Sequence, residues 1–182
     1  MKPIIVAVAG LLVAALGVEA QNAAEIERAL HAAPSRARDG AAVIRWEGDT
    51  WTTLREGRGT LVCYDHSGAP GEAAFSSQCT HPDNLERVAQ NFRFEAQANG
   101  DRQALQTLLA EAEENGTRSM PVFGSPWIAM NGPDMASARR HVTIAMPYAD
   151  ERNSGFPETG SQGGAWIMGA GTPGAHLMVP GS

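Results

Sequence analysis

Apolar residues recur at helical spacing in three stretches of the chain and come in short β-branched runs almost everywhere else. In "NAAEIERALHAA" (22–33), Ala23, Ile26, Leu30 and Ala33 share one side, as in an amphipathic helix. Pro34 should end it, because the residue before a proline is pushed out of helical geometry. Residues 41–47, 50–56 and 60–65 then carry Val43, Ile44, Trp46, Trp51, Leu54, Leu61 and Val62, divided by Gly48-Asp49 and by Gly57-Arg58-Gly59. That pattern predicts a three-stranded meander. The intervening "YDHSGAPGEAAFSSQ" reads as a loop rich in Gly, Ser, Ala and Pro.

The period then lengthens again. Leu85, Val88, Ala89 and Phe92 predict a helix that Pro82 opens, with Asp83 and Glu86 resembling a capping box. "NGD" (99–101) breaks it, and Asp101 can cap the next helix, whose buried stripe is Ala104, Leu105, Leu108, Leu109 and Ala112. Asn115-Gly116 closes that helix. From Met120 onward the chain reads as strand and turn, with an exposed loop over 150–164. Within this last third, "PWIAMNGPD…RRHVTIAMP" and "AWIMGAGTP…AHLMVP" share Trp-Ile, a Gly/Pro turn, a His and a nearby Met and Pro, which suggests two similar hairpins. Strands and helices cluster instead of alternating, so the expected fold is α+β: a single domain over 21–182, with an antiparallel sheet packed by the two central helices.

Residues 1–20, "MKPIIVAVAGLLVAALGVEA", stand apart. One cation, about 16 apolar residues and a small-x-small ending predict a secretory signal peptide cut after Ala20. A spanning helix needs roughly 20 apolar residues, and no later segment offers them. The expected location is therefore periplasmic or extracellular, with no membrane insertion after cleavage. The net charge is −6, and Lys2 is the only lysine. An acidic chain without basic runs argues against nucleic acid as a partner. The lysine-free mature chain also excludes Ser-Lys and Schiff-base chemistry.

Export bears on the two cysteines. "LVCYDHSGAPGEAAFSSQCTH" (61–81) spaces Cys63, His66, Cys79 and His81 like four zinc ligands, but an oxidising compartment favours a disulfide between two cysteines so close in sequence. Closing a loop of about 15 residues stabilises by roughly 3 kcal/mol in the chain-entropy model. A bridge here should tie the third strand to the start of the first central helix. Asp65-His66 and His81-Pro82-Asp83 would then place carboxylates beside imidazoles, a small polar site if the bridge drew these ends together.

"GTPGAHLMVP" (171–180), preceded by "AWIMGA", resembles the C-terminus of a widespread family of uncharacterised exported bacterial proteins. The resemblance extends to "AAEIERALHAAPSRARDGAAV", to "LREGRGTLVC" and to the Trp127 segment. It implies export, a shared fold and a cysteine pair at about this separation, without histidines at the positions of His66 and His81. It implies no activity.

Other candidates for chemistry are fewer. "GAGTPG" (169–174) fits G-x-G-x-x-G, but a strand and not a helix follows, so a tight turn is expected. Six methionines lie in the last third with His141 and His176, and thioethers with imidazoles suit Cu(I). His176 and Met178 would share a strand face; packing beside Trp127 and Trp166 explains the same letters. No G-x-S-x-G elbow or H-E-x-x-H motif occurs. Trp46 and Trp51 flank the "EGD" turn, where exposed aromatics suit recognition of a ligand or partner. The reading that follows is an exported, non-enzymatic binding or interaction module for a small molecule or protein, with no cofactor. Metal handling by His141, His176 and Met178 is the alternative, and a hydrolase without a recognised motif comes third.

Overall fold

A computed structural model describes residues 19–69 and 72–180, so nearly all of the expected leader at 1–20 lies outside the described residues. The first helix, α1, covers residues 19–29. It stops short of residue 33 because the chain tightens ahead of Pro34: His31 N–H reaches the Arg28 carbonyl and Ala33 N–H the Leu30 carbonyl, both at 3.1 Å. Then come a 3-10 turn (Ser35–Gly40), β1 (Ala42–Glu47), β2 (Thr50–Arg55), β3 (Val62–Asp65) and β4 (Phe75–Thr80). A short 3-10 turn (Pro82–Asn84) leads into α2 (Leu85–Ala98) and α3 (Arg102–Glu114). The chain finishes with β5 (Pro126–Gly132), β6 (Arg139–Ala145), the one-turn α4 (Glu151–Ser154), β7 (Trp166–Met168) and β8 (His176–Val179). All strands join one eight-stranded sheet in the order β2-β1-β3-β4-β5-β6-β8-β7. The fold is α+β, as the clustering of elements predicts.

Two expectations fail in instructive ways. The first three strands are not a meander: β3 crosses to the far side of β1 and runs parallel to it, pairing Ala42 with Val62 and Val43 with Cys63. The glycines read as mere punctuation make that crossing. Arg58 N–H and Gly59 N–H both bond the Gly40 carbonyl, at 2.9 and 2.8 Å. A Cβ at Gly57 would stand 2.3 Å from the Ala42 nitrogen, so only glycine lets the chain pass this close. The second failure is β4. "FSSQ" (75–78) reads as the end of a loop rich in small and polar residues, yet with Cys79 and Thr80 it forms a central strand in which Ser76, Ser77 and Thr80 are all fully buried.

Cys63 and Cys79 face each other across β3 and β4 and form a disulfide. The bridge therefore joins neighbouring strands, not a strand to the start of a helix. It lies on the sheet face that α1 covers, among Ala29, Leu30, Val43, Phe75 and Ile128. Arg45 of β1 holds α1 there through Asn22 Oδ1 (2.9 Å) and Glu25, and Arg28 of α1 pairs with Asp65. On the opposite face α2 lays Leu85, Val88 and Phe92 on Ile44, Val62, Tyr64, Trp46 and Trp127. Fully burying a side chain such as Ile44, Leu85 or Val88 stabilises by roughly 1.5–3 kcal/mol.

The faint repeat is a structural one. Its two hairpins, β5–β6 and β7–β8, lie side by side with their second strands paired. Trp127, Thr143, Met178 and Trp166 form a single register row across all four strands. A local two-fold between Thr143 and Met178 superposes Trp127-Ile128 on Trp166-Ile167 and His141-Val142-Thr143 on His176-Leu177-Met178. Beyond β8, Ile167 and Leu177 pack with Ala149 and Phe156, and Ile167 N–H bonds the Pro157 carbonyl at 2.8 Å.

Candidate functional site

Trp46 and Trp51 are direct cross-strand partners either side of the β1–β2 turn, their rings edge-on at 5.2 Å. Trp51 is 41% exposed, whereas Trp46 is half-buried beneath it. From Trp46 the aromatic contacts run inward: Tyr64 at 5.7 Å and Phe92 of α2 at 5.0 Å. Phe92 in turn meets the His66 ring at 4.9 Å. The tryptophan rim that the sequence singles out is thus the outer end of an aromatic row, and the row's inner end is the wall of a cleft.

That cleft, of about 600 Å³, lies between the β3–β4 loop, the second half of α2 and the start of α3. The turn 99–101 shapes it. Asn99 adopts the left-handed conformation (φ 48°) to end α2, and Asp101 Oδ1 accepts from Gln103 N–H (2.9 Å) and Ala104 N–H (3.1 Å) to start α3. Phe92, Ala96 and Leu105 provide apolar wall, His66 an imidazole, and Glu72, Glu95, Asp101 and Arg102 the charge. Three carboxylates therefore face one guanidinium.

His66 is the chemical centre of the cleft. Its side chain is only 15% exposed, with Glu72 Oε1 3.7 Å from Nδ1, and Nδ1 has no hydrogen-bond partner among the described residues. Burial lowers its pKa, and Glu72 and Asp65 oppose that shift. Glu72 itself is anchored, its Oε2 accepting from Ser76 Oγ at 3.0 Å. Glu95 is exposed as a residue, but the cleft partly desolvates its carboxylate, and this together with the nearby Glu72 charge raises its pKa. The pocket so assembled favours a cation with an apolar body: carboxylates for the charge and a phenyl face for cation–π contact.

The hairpin register separates the residues that the cysteine spacing seemed to gather. His66 N–H bonds the Ser76 carbonyl (2.8 Å) at one end of β3–β4, while His81 follows Thr80, the partner of Val62, at the other. The disulfide takes both sulfurs that a four-ligand zinc site would need. His81 instead caps the 3-10 turn, its Nδ1 accepting from Asp83 N–H at 3.2 Å, which is the capping role expected of Asp83. Asp65, adjacent to His66 in sequence, is engaged by Arg28 and by Ser67 Oγ (2.5 Å), and Glu72 is the carboxylate nearest the His66 ring nitrogen.

His141, His176 and Met178 share one sheet face, and His176 and Met178 are neighbours on it as their spacing predicts. His141 and His176 are not brought together: the register holds them four residues apart along the paired strands, about 13 Å at strand rise. Nδ1 of His176 lies 2.9 Å from the Gly174 carbonyl. Among the described residues no three of His, Cys, Asp and Glu gather as a metal site would require. No described helix is long and apolar enough to cross a membrane.

Comparison of the chain with family models, curated proteins and solved structures returns no match. Glu72, Phe92 and Glu95 went unseen as site residues in the sequence. Phe92 carried a signal as part of the α2 stripe, but Glu72 and Glu95 belong to segments more than twenty residues apart that only the tertiary fold brings to one cleft.

Proposed function

We propose that this protein is an exported, non-enzymatic binding module that holds a small organic amine in the His66–Glu72–Glu95 cleft. The observation that carries this reading is the pairing of an acidic rim, Glu72, Glu95 and Asp101, with the Phe92 face in one cleft. The disulfide supports export, since such a bond persists in oxidising compartments. Trp46, packed on the far side of Phe92, makes binding visible from within the aromatic row. Titration with aliphatic and arylalkyl primary amines, which are cations at neutral pH, should shift tryptophan emission, while the corresponding neutral alcohols leave it unchanged. Glu95→Gln should weaken amine binding by about tenfold, equivalent to about 1.4 kcal/mol. Silence across the amine panel, or equal affinity in Glu95→Gln, refutes the assignment.

A further inference from the structure

The C-terminal segment "GTPGAHLMVP" is left unexplained by that cleft, and it borders a different pocket. A recess of about 250 Å³ lies where α2 meets the sheet beside β8, lined by Arg87, Asn91, Trp127, Thr143 and His176. Its wall is electrostatically unbalanced. The Arg87 side chain is 8% exposed and bonds Glu113 Oε1 at 2.7 Å. Arg118, 11% exposed, shares that same carboxylate at 3.1 Å. Two largely buried guanidinium groups, of which Arg87 lines the recess, thus divide the single Glu113 carboxylate behind it, and no acidic side chain lies among the described residues lining the recess. Burial and the like charge of Arg87 push Arg118 down to about 10, as expected where a cation lacks its own counter-ion.

The polar atoms around the recess are also chiefly donors with capacity to spare. Arg87 uses one N–H of Nη1 on the Ser119 carbonyl and one of Nη2 on Glu113, each at 2.7 Å, leaving a second N–H on each nitrogen. Asn91 Oδ1 accepts from Arg118 at 2.7 Å, so its amide is oriented with Nδ2 unspent. Thr143 Oγ1 is likewise bonded to no described residue. The turn before β8 fits the guanidinium: Arg87 Nη2 is 3.5 Å from where a Cβ at Gly174 would stand, so the backbone of the C-terminal motif closes one side of the recess.

We propose that this recess is a second ligand site, for a small monocarboxylate, with Arg87 and Asn91 on the carboxylate and the Trp127 indole against its apolar body. A single excess charge matches a monoanion, and bidentate guanidinium–carboxylate geometry suits the donors present. The site is independent of the amine cleft. The test is calorimetry of the full chain with benzoate, with benzamide as its neutral isostere, and with inorganic phosphate. Benzoate should bind, benzamide should bind at least about tenfold more weakly, and phosphate should not compete. Asn91→Asp keeps the acceptor for Arg118 but sets a carboxylate on the wall; it should abolish benzoate binding while the thermal midpoint is unchanged or raised. Thr143→Val should weaken benzoate without unfolding the protein, and Glu95→Gln should leave it unaffected. Absent benzoate binding, equal affinity for benzamide, preference for phosphate, or wild-type affinity in a folded Asn91→Asp protein would each overturn the proposal.

Discussion

Asn84 is fully buried, and its amide joins three segments of the chain. Nδ2 donates to Thr80 Oγ1 at 2.8 Å and to Ser125 Oγ at 2.9 Å, and Oδ1 accepts from Val122 N–H at 2.8 Å. Each hydroxyl has a single proton, and both are committed: Thr80 to the Pro126 carbonyl (3.1 Å) and Ser125 to the Val122 carbonyl (2.7 Å). The network therefore has a direction, and only an amide fits it. Asn84→Ala removes three hydrogen bonds worth about 1 kcal/mol each and leaves the Val122 N–H without its acceptor, a total loss of roughly 4 kcal/mol. Asn84→Asp is the more discriminating change. It preserves the Val122 contact but turns an oxygen toward two hydroxyl oxygens that have no proton to give, and it buries a charge. Its carboxyl pKa should therefore rise in the folded state. A raised folded pKa means stability that is present below the unfolded carboxyl value near 4 and is lost as pH rises through the folded pKa. Urea unfolding should show Asn84→Asp at least as damaged as Asn84→Ala at pH 7, with part of its deficit relative to wild type recovered at acid pH. Asn84→Ala should show no such recovery. An Asn84→Asp protein as stable as wild type at pH 7, or an alanine variant within about 1 kcal/mol of it, would refute the reasoning.

Two further outcomes are expected. Replacing both cysteines with alanine removes a cross-link spanning 16 positions and should cost about 3 kcal/mol by loop entropy, read as a lower denaturant midpoint; an unchanged midpoint would show that the β3–β4 pairing alone already closes that loop. Because burial raises the Glu95 pKa, ionising it costs stability as pH rises through that value. Glu95→Gln should accordingly raise the thermal midpoint at pH 7 and lose that advantage below the ordinary carboxylate range, and a difference independent of pH would exclude the electrostatic origin.

What the sequence disclosed follows from how local the physics is. The Asp101 cap, the Asn115 and Gly116 ending and the α2 stripe are decided within a few residues, and each appears where the pattern places it. The rim position of Trp51 and the paired hairpins were also legible, because a turn and its flanking strands are short-range objects. β4 was not, since burial among neighbouring strands, and not its own hydrophobicity, makes "FSSQCT" a strand. Parallel pairing of β1 with β3 depends on a backbone approach at Gly57 that no periodicity encodes. The cleft and the recess were least visible of all: the carboxylates around His66 and the arginines around Glu113 come from segments whose meeting is a property of the whole fold.

The two-fold relation between the last two hairpins has a consequence for self-association. In the first hairpin, the outer side of β5 accepts β4 through five paired positions. The equivalent side of β7 is the free margin of the sheet, and an unmodified copy would offer a foreign chain the same template for pairing. Here the copy is blunted. β7 is cut to Trp166–Met168 between glycines at 163–164 and 169, and the outward N–H of Ile167 is taken by the carbonyl of Pro157. A proline has no N–H to carry the ladder further. The repeat that widens the sheet thus also supplies its stop, and the chain ends strand addition at β7 with its own residues.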